Sequence, residues 1–164
     1  MKNKIRWFAY ITYNIYWLGL TALSQTMTPL VYPLLVQSFV GEELKGTYYG
    51  SLRLWTLMVA LLVQALMGML SDRSTLRWGR RKPFVFIGTF GVIVMILLIG
   101  LTSRLEGMTG YWTLFFFVIL IMIAANTAHG AQQGIIPDLV PEEKRGVFSG
   151  IKAVLEIPIP LILV

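Results

Sequence analysis

The sequence predicts an all-α integral membrane protein, with four complete transmembrane helices and the start of a fifth. Three observations carry this prediction. Charged residues are only 13% of the 164, while 56% are apolar; a soluble domain is about 25% charged. Residues 7–41, 83–103 and 107–137 carry no Asp, Glu, Lys or Arg, and the run between Lys45 and Asp72 is broken only by Arg53. The basic residues collect in alternate loops. Crossing a bilayer takes roughly 20 apolar residues at ~1.5 Å rise each, and each of these runs is long enough. A segment in lipid must satisfy its own backbone polar groups, so the spans are expected to be helices.

The first span is expected at 15–36, with Trp7, Phe8, Tyr10, Tyr13, Tyr16 and Trp17 as an aromatic belt at its start. Lys2, Lys4 and Arg6 precede it. The uncharged run after them is far longer than the ~7–15 residues of a signal-peptide core, so a retained span is expected. The second span is expected at 47–70, the third at 84–101, the fourth at 111–136 and an incomplete fifth at 146–164. The abrupt end, with Pro158 and Pro160 and no polar flank, suggests an N-terminal fragment of a longer chain.

Loop charges orient these spans. Lys2, Lys4, Arg6, Arg73, Arg77, Arg80, Arg81, Lys82, Lys144 and Arg145 fall on one side, against Lys45 and Arg104 on the other. By the positive-inside rule the N-terminus is expected in the cytoplasm of a multi-pass cell-membrane protein. The net charge of +6 sits in short loops between apolar runs, which argues against a nucleic-acid partner; membrane lipid is the expected surroundings. With one histidine and no cysteine, no metal site or other cofactor is implied, and a membrane-embedded enzyme lacks the side chains it would need.

Polar residues inside the spans are the candidate site. Thr21, Gln25, Thr28 and Tyr32 have i, i+4, i+7, i+11 spacing on one helical face, interrupted by Pro29 and Pro33. Broken, polar-faced helices line transporter cavities; the alternative is inter-helix hydrogen bonding worth about 0.6 kcal/mol each. Asn126, His129 and Gln133 form a second stripe, with Gly130 allowing close approach. His129 can bind a hydroxyl or relay a proton, or be a wetted, passive side chain. Lys152 and Glu156 stand four apart in the fifth span; a membrane-embedded acid is costly and points to ion coupling, or else to a pair that only holds packing. Arg53 can snorkel to water. The third span has Thr89 as its only polar side chain, which suits a lipid-facing support helix packed through Gly88, Gly91 and Gly100.

The turn after the second span is the most distinctive string: Gly68, then Ser71-Asp72-Arg73, then Arg77-Trp78-Gly79-Arg80-Arg81-Lys82-Pro83-Phe84. Ala60, Gln64, Gly68 and Asp72 lie four apart, a small-residue face ending in a carboxylate that can cap a helix N-terminus. The string resembles the signature between helices two and three of the major facilitator superfamily, with five residues between Arg73 and Gly79, more than in the common form. A second stretch, Asn126, Gly130 and Pro137-Asp138-Leu139-Val140-Pro141-Glu142-Glu143-Lys144-Arg145-Gly146, is similar to the end of helix four and the loop after it. Both look most like the sucrose–proton and glycoside–cation symporter branch.

The resemblance implies a carrier of two helical bundles, with substrate between them and a C-terminal half outside these 164 residues as partner. It implies secondary active transport of a sugar-like solute with a cation, a proton, by alternating access. Gly68, Asp72, Arg73, Gly79, Arg80 and Arg81 would form the gating motif. Sucrose-type members tend to carry an acid and an arginine on helix four, where Met122 and Gln133 stand here; this shifts the expected coupling acid to Glu156 or beyond Val164. The alternatives are an exporter of drugs or other solutes from the same superfamily and a small accessory membrane subunit. A four-helix multidrug exporter would need a glutamate in the first span, and 15–36 has none.

Overall fold

The computed structural model describes residues 7–134, 138 and 140–156, with side chains from 15 to 154. Every regular element in that range is helical: α1 Trp7–Thr26, a π-helical turn Met27–Val31, α2 Tyr32–Val40, α3 Glu42–Arg73, α4 Lys82–Thr102, α5 Gly107–Gln133 and α6 Glu142–Glu156. Three of these, α3, α4 and α5, are long and apolar enough to cross a membrane. The chain packs as two compact units, one from Met1–Tyr32 with Ile136–Val164, the other from Pro33–Ile135.

In the first unit, α1 packs against α6. The expected first span carries a π turn after α1. Pro29 has no N–H to donate to the Gln25 carbonyl, and the Tyr32 N–H bonds to the Met27 carbonyl, five residues back rather than four. The extra residue shifts the downstream helical register by about 100° relative to a straight α-helix. The stripe expected on one face is therefore divided: Gln25 is exposed, whereas Tyr32 is buried. Trp17, expected in the interfacial belt, is also buried, ten residues or about 15 Å into α1.

In the second unit, α5 packs against both α3 and α4. It buries the largest share of its residues among the three long helices. Glycines set the two contacts. A Cβ at Gly88 of α4 would stand 2.6 Å from the Ala124 carbonyl oxygen and 2.7 Å from the Ala128 nitrogen; one at Gly91 would stand 3.0 Å from the Ala124 Cβ. On α5, a Cβ at Gly130 would lie 2.8 Å from the Gln64 carbonyl oxygen and 3.0 Å from the Gly68 nitrogen of α3. Gly100 does not share this role, because it looks into open space.

Both ends of this unit are fastened. Gly41, at φ 81°, turns the chain from α2 into α3 in a conformation that favours glycine. Nearby, the buried Tyr111 hydroxyl donates to the Tyr48 carbonyl at 3.1 Å, with the two rings edge to face at 4.8 Å. At the opposite end of α3 lies the basic turn. Outward-facing apolar side chains cover α3 and α4, among them Leu61, Leu62, Phe86 and Ile87, as a hydrocarbon surrounding favours.

Candidate functional site

The basic turn is built from local geometry first. α3 ends at Ser74, whose extended backbone (φ −68°, ψ 136°) leaves the helix. A turn closes as the Gly79 N–H donates to the Leu76 carbonyl at 3.0 Å, and Gly79 sits at φ 101°. Arg81 then caps α4, with Pro83 in its first turn, where a missing N–H costs nothing.

Of the five cations in this turn, Arg81 alone is buried. Its Nη2 meets the Asp72 carboxylate at 2.5 Å, and its Nη1 lies 3.4 Å from the Ser71 hydroxyl, which in turn donates to the Gly68 carbonyl at 2.8 Å. The guanidinium occupies the space where a Cβ on Gly134 would go, just past the end of α5. Arg81 thus fastens the C-terminal ends of α3 and α5 to the start of α4. Its charge also suits those two helix ends, where unpaired carbonyls gather negative potential. Gly68, Asp72 and Arg81 are brought together here; Gly79 serves the turn between them, and Arg73 and Arg80 are exposed. Asp72 is matched to one partner, where the sequence suggests a helix cap or an acid balancing five bases at large.

Ser71, which stands in the distinctive string without a role of its own, and Gly134, which the sequence does not single out, also belong to this site. Ser71 is fully buried under Arg81. Gly134, the C-cap of α5, stands four residues after Gly130 and continues its small-residue line past the helix end; that spacing is the available signal.

The second stripe lies on α5. Asn126 is buried, and its amide donates to the Met122 carbonyl of its own helix at 2.8 Å. The Gln133 amide nitrogen lies 3.2 Å from His129 Nε2, a contact that a neutral imidazole protonated on Nδ1 accepts. Gln133 is exposed and His129 half-buried. Gln132, beside them, is buried. In the other unit, Thr21 and Thr28 are half-buried and Gln25 is exposed. Two surface clefts in the second unit, one along Met108, Trp112 and Phe116 and one at Leu76, Arg77, Trp78 and Pro83, include none of these stripe residues.

Lys152 has a contact that its spacing from Glu156 does not suggest. Its Nζ lies 3.6 Å from the centroid of the Trp17 ring, a cation–π geometry between α6 and α1. Glu156 is the last residue of α6, and its side chain lies outside the described residues, as does the segment 157–164. Among the described residues no cluster of His, Cys, Asp and Glu could hold a metal ion.

The chain is 26% identical over 110 residues to Sucrose transport protein SUC3 of Arabidopsis thaliana, covering 57% of this chain and 18% of that protein. It is 27% identical over 136 residues to Solute carrier family 45 member 4 of Mus musculus, covering 77% and 17%. It is 28% identical over 121 residues to Lactose permease of Lactobacillus helveticus, covering 70% and 18%. The chain therefore spans under a fifth of the length of these relatives. No solved structure matches it. The family model of the Major Facilitator Superfamily matches residues 8–155, nearly the whole chain. This is a multi-pass, all-helical membrane chain that belongs to the Major Facilitator Superfamily.

Proposed function

We propose that this chain is the N-terminal part of a secondary active transporter that carries a sugar or glycoside together with a proton by alternating access. The observation that carries the reading is the Gly68–Ser71–Asp72–Arg81 linkage at one end of the α3–α4–α5 unit. It is a polar lock on otherwise apolar helices, suited to an element that must hold one of two arrangements. Family membership and relatives named for sucrose and lactose support the substrate class.

On this reading α1, the π turn and α2 form the first span, α3 to α5 the next three, and α6 begins a fifth. The loop charges put the N-terminus and the turns at 72–82 and 137–145 in the cytoplasm of the cell membrane. Thr21, Gln25 and Thr28 on one helix and Asn126, His129 and Gln133 on another offer hydroxyl-binding groups to substrate. The π turn supports this role for α1, because such turns recur at functional sites. The Asn126 side-chain oxygen has no hydrogen-bond partner among the described residues and can accept from a sugar hydroxyl. Glu156 carries the coupling proton, with Lys152 setting its surroundings. Gly68, Asp72, Arg73, Gly79, Arg80 and Arg81 form the gate, where Asp72 and Gly68 also face the C-terminal half. Transport of this kind requires neither a cofactor nor a bond-breaking step in the substrate.

The test is uptake of labelled sucrose and lactose by vesicles containing the longer carrier that begins with this chain. Saturable uptake that rises with an inward proton gradient and collapses with a protonophore is expected. Uptake indifferent to the gradient would remove the coupling, and failure of all sugars to compete would favour an exporter of other solutes.

A further inference from the structure

The basic turn also carries features that the lock does not use. Arg81 is engaged by Asp72, but Arg77 and Lys82 are exposed and have no ion-pair partner among the described residues. The same turn exposes two apolar side chains, Trp78 at 73% and Leu76 at 54% exposure. Leu76, Arg77, Trp78 and Pro83 line a cleft of about 300 Å³. A soluble surface gains nothing from showing this much of a tryptophan, whereas an indole is favoured at the headgroup level of a bilayer.

The helix below supplies the second half. Lys82 heads a face of α4 that continues through Phe86, Phe90, Ile93, Leu97 and Leu101, each outward and exposed. The spacings from Lys82, four, eight, eleven, fifteen and nineteen, keep them on one side of a helix. At ~1.5 Å per residue the 21 residues of α4 rise about 31 Å, the thickness of the hydrocarbon core. One end of an acyl-compatible stripe thus carries a cation, a second cation and an interfacial tryptophan. The opposite end, at Leu101 and Thr102, brings no cation before Arg104.

We infer that this corner is a binding site for one anionic phospholipid of the leaflet that the turn faces, with its phosphate between Arg77 and Lys82, its glycerol region against Trp78 and an acyl chain along the Phe86–Phe90–Ile93 face of α4. Charge complementarity selects an anionic headgroup over a zwitterionic one, because the cations are not neutralised by neighbouring acids. The length of the apolar stripe selects a lipid over a free phosphate.

The 164-residue chain in a neutral detergent is offered phosphatidylglycerol and phosphatidylcholine with matched acyl chains, and retained lipid is counted by native mass spectrometry. Phosphatidylglycerol should be retained in preference. Each cation near an anionic lipid is worth about fivefold, so Arg77→Gln with Lys82→Gln should lower the preference by about 25-fold. Lys45→Gln with Arg104→Gln, an equal loss of charge at the other ends of the helices, should leave it intact. Trp78→Ser should reduce retention of both lipids and preserve their ratio. Circular dichroism should show unchanged helix content in the paired variants. Equal retention of the two lipids by the unaltered chain, or an undiminished preference in the Arg77/Lys82 variant, would overturn the site. Glycerol 3-phosphate displacing the lipid at matched concentration would overturn the role of the α4 stripe.

Discussion

The contact between Asp72 and Arg81 can be weighed by a double-mutant cycle. The carboxylate and guanidinium meet at 2.5 Å, but unequally: the Arg81 side chain is 10% exposed and that of Asp72 54%. Breaking a wholly buried pair costs about 3–5 kcal/mol, and a fully exposed pair contributes about 0.2–1 kcal/mol. With the acid more than half in solvent, screening leaves a coupling of about 1 kcal/mol. Arg81 retains the Ser71 hydroxyl and its packing on Gly134 when Asp72 is neutralised, so its charge is not stranded. Asp72→Asn, Arg81→Gln and the double variant are to be unfolded in mixed micelles and followed by circular dichroism. The sum of the two single losses should exceed the loss in the double variant by about 1 kcal/mol, because each single change already removes the shared contact. The coupling should shrink between about 50 and 500 mM salt, as the Debye length contracts. On the proposed gating role, the same energy would bias a two-state gate in a longer carrier about fivefold. A coupling under about 0.3 kcal/mol at low salt would refute the reasoning, since the buried guanidinium would then be held by packing alone.

Gly88→Ala forces α4 from the α5 backbone and should cost about 1–3 kcal/mol, while Gly100→Ala, with open space, should be neutral or slightly stabilising; equal thermal midpoints in detergent would deny that Gly88 sets the contact. Lys152→Met should cost up to about 2 kcal/mol of stability through the lost Trp17 contact; Trp17→Leu should cost more, because the ring is also buried, and the double variant should lose less than the sum of the two single losses. In the longer carrier, Glu156→Gln should abolish accumulation against a gradient but leave passive exchange, and full accumulation would exclude it as the proton carrier. Gln25→Leu and Asn126→Leu in that carrier should raise the apparent KM for sugar with insertion unchanged, and unaltered affinity in both would reduce the stripes to packing features. Single cysteines placed at Ser74 and Gly107 should label from outside intact cells at Gly107 only; the reverse pattern would invert the topology.

Much of this architecture is written in composition and spacing. Hydrocarbon rejects charge and demands internally bonded backbone, so the long apolar runs, that of α3 broken only by Arg53, pointed to helices of the kind seen in α3, α4 and α5, each long and apolar enough to cross a membrane. The string from Gly68 to Phe84 likewise marked a special turn, and the two prolines of the first span marked a broken helix. Partner choice was not legible. Five cations stand within ten residues, and nothing in their order says that Arg81 would be buried on Ser71, Asp72 and Gly134, because that depends on where the end of α5 lies against α3. Gly88, Gly91 and Gly100 look alike in the sequence, yet only the first two meet α5, since a helix face is defined by its neighbour. The π turn put Tyr32 off the face that 3.6-residue counting assigned, and packing put Lys152 over a tryptophan 135 residues away in sequence. The sequence by itself determined which segments are apolar enough for lipid, because solvation is a property of each residue; only the tertiary structure decided which polar groups meet, because contact is a property of pairs.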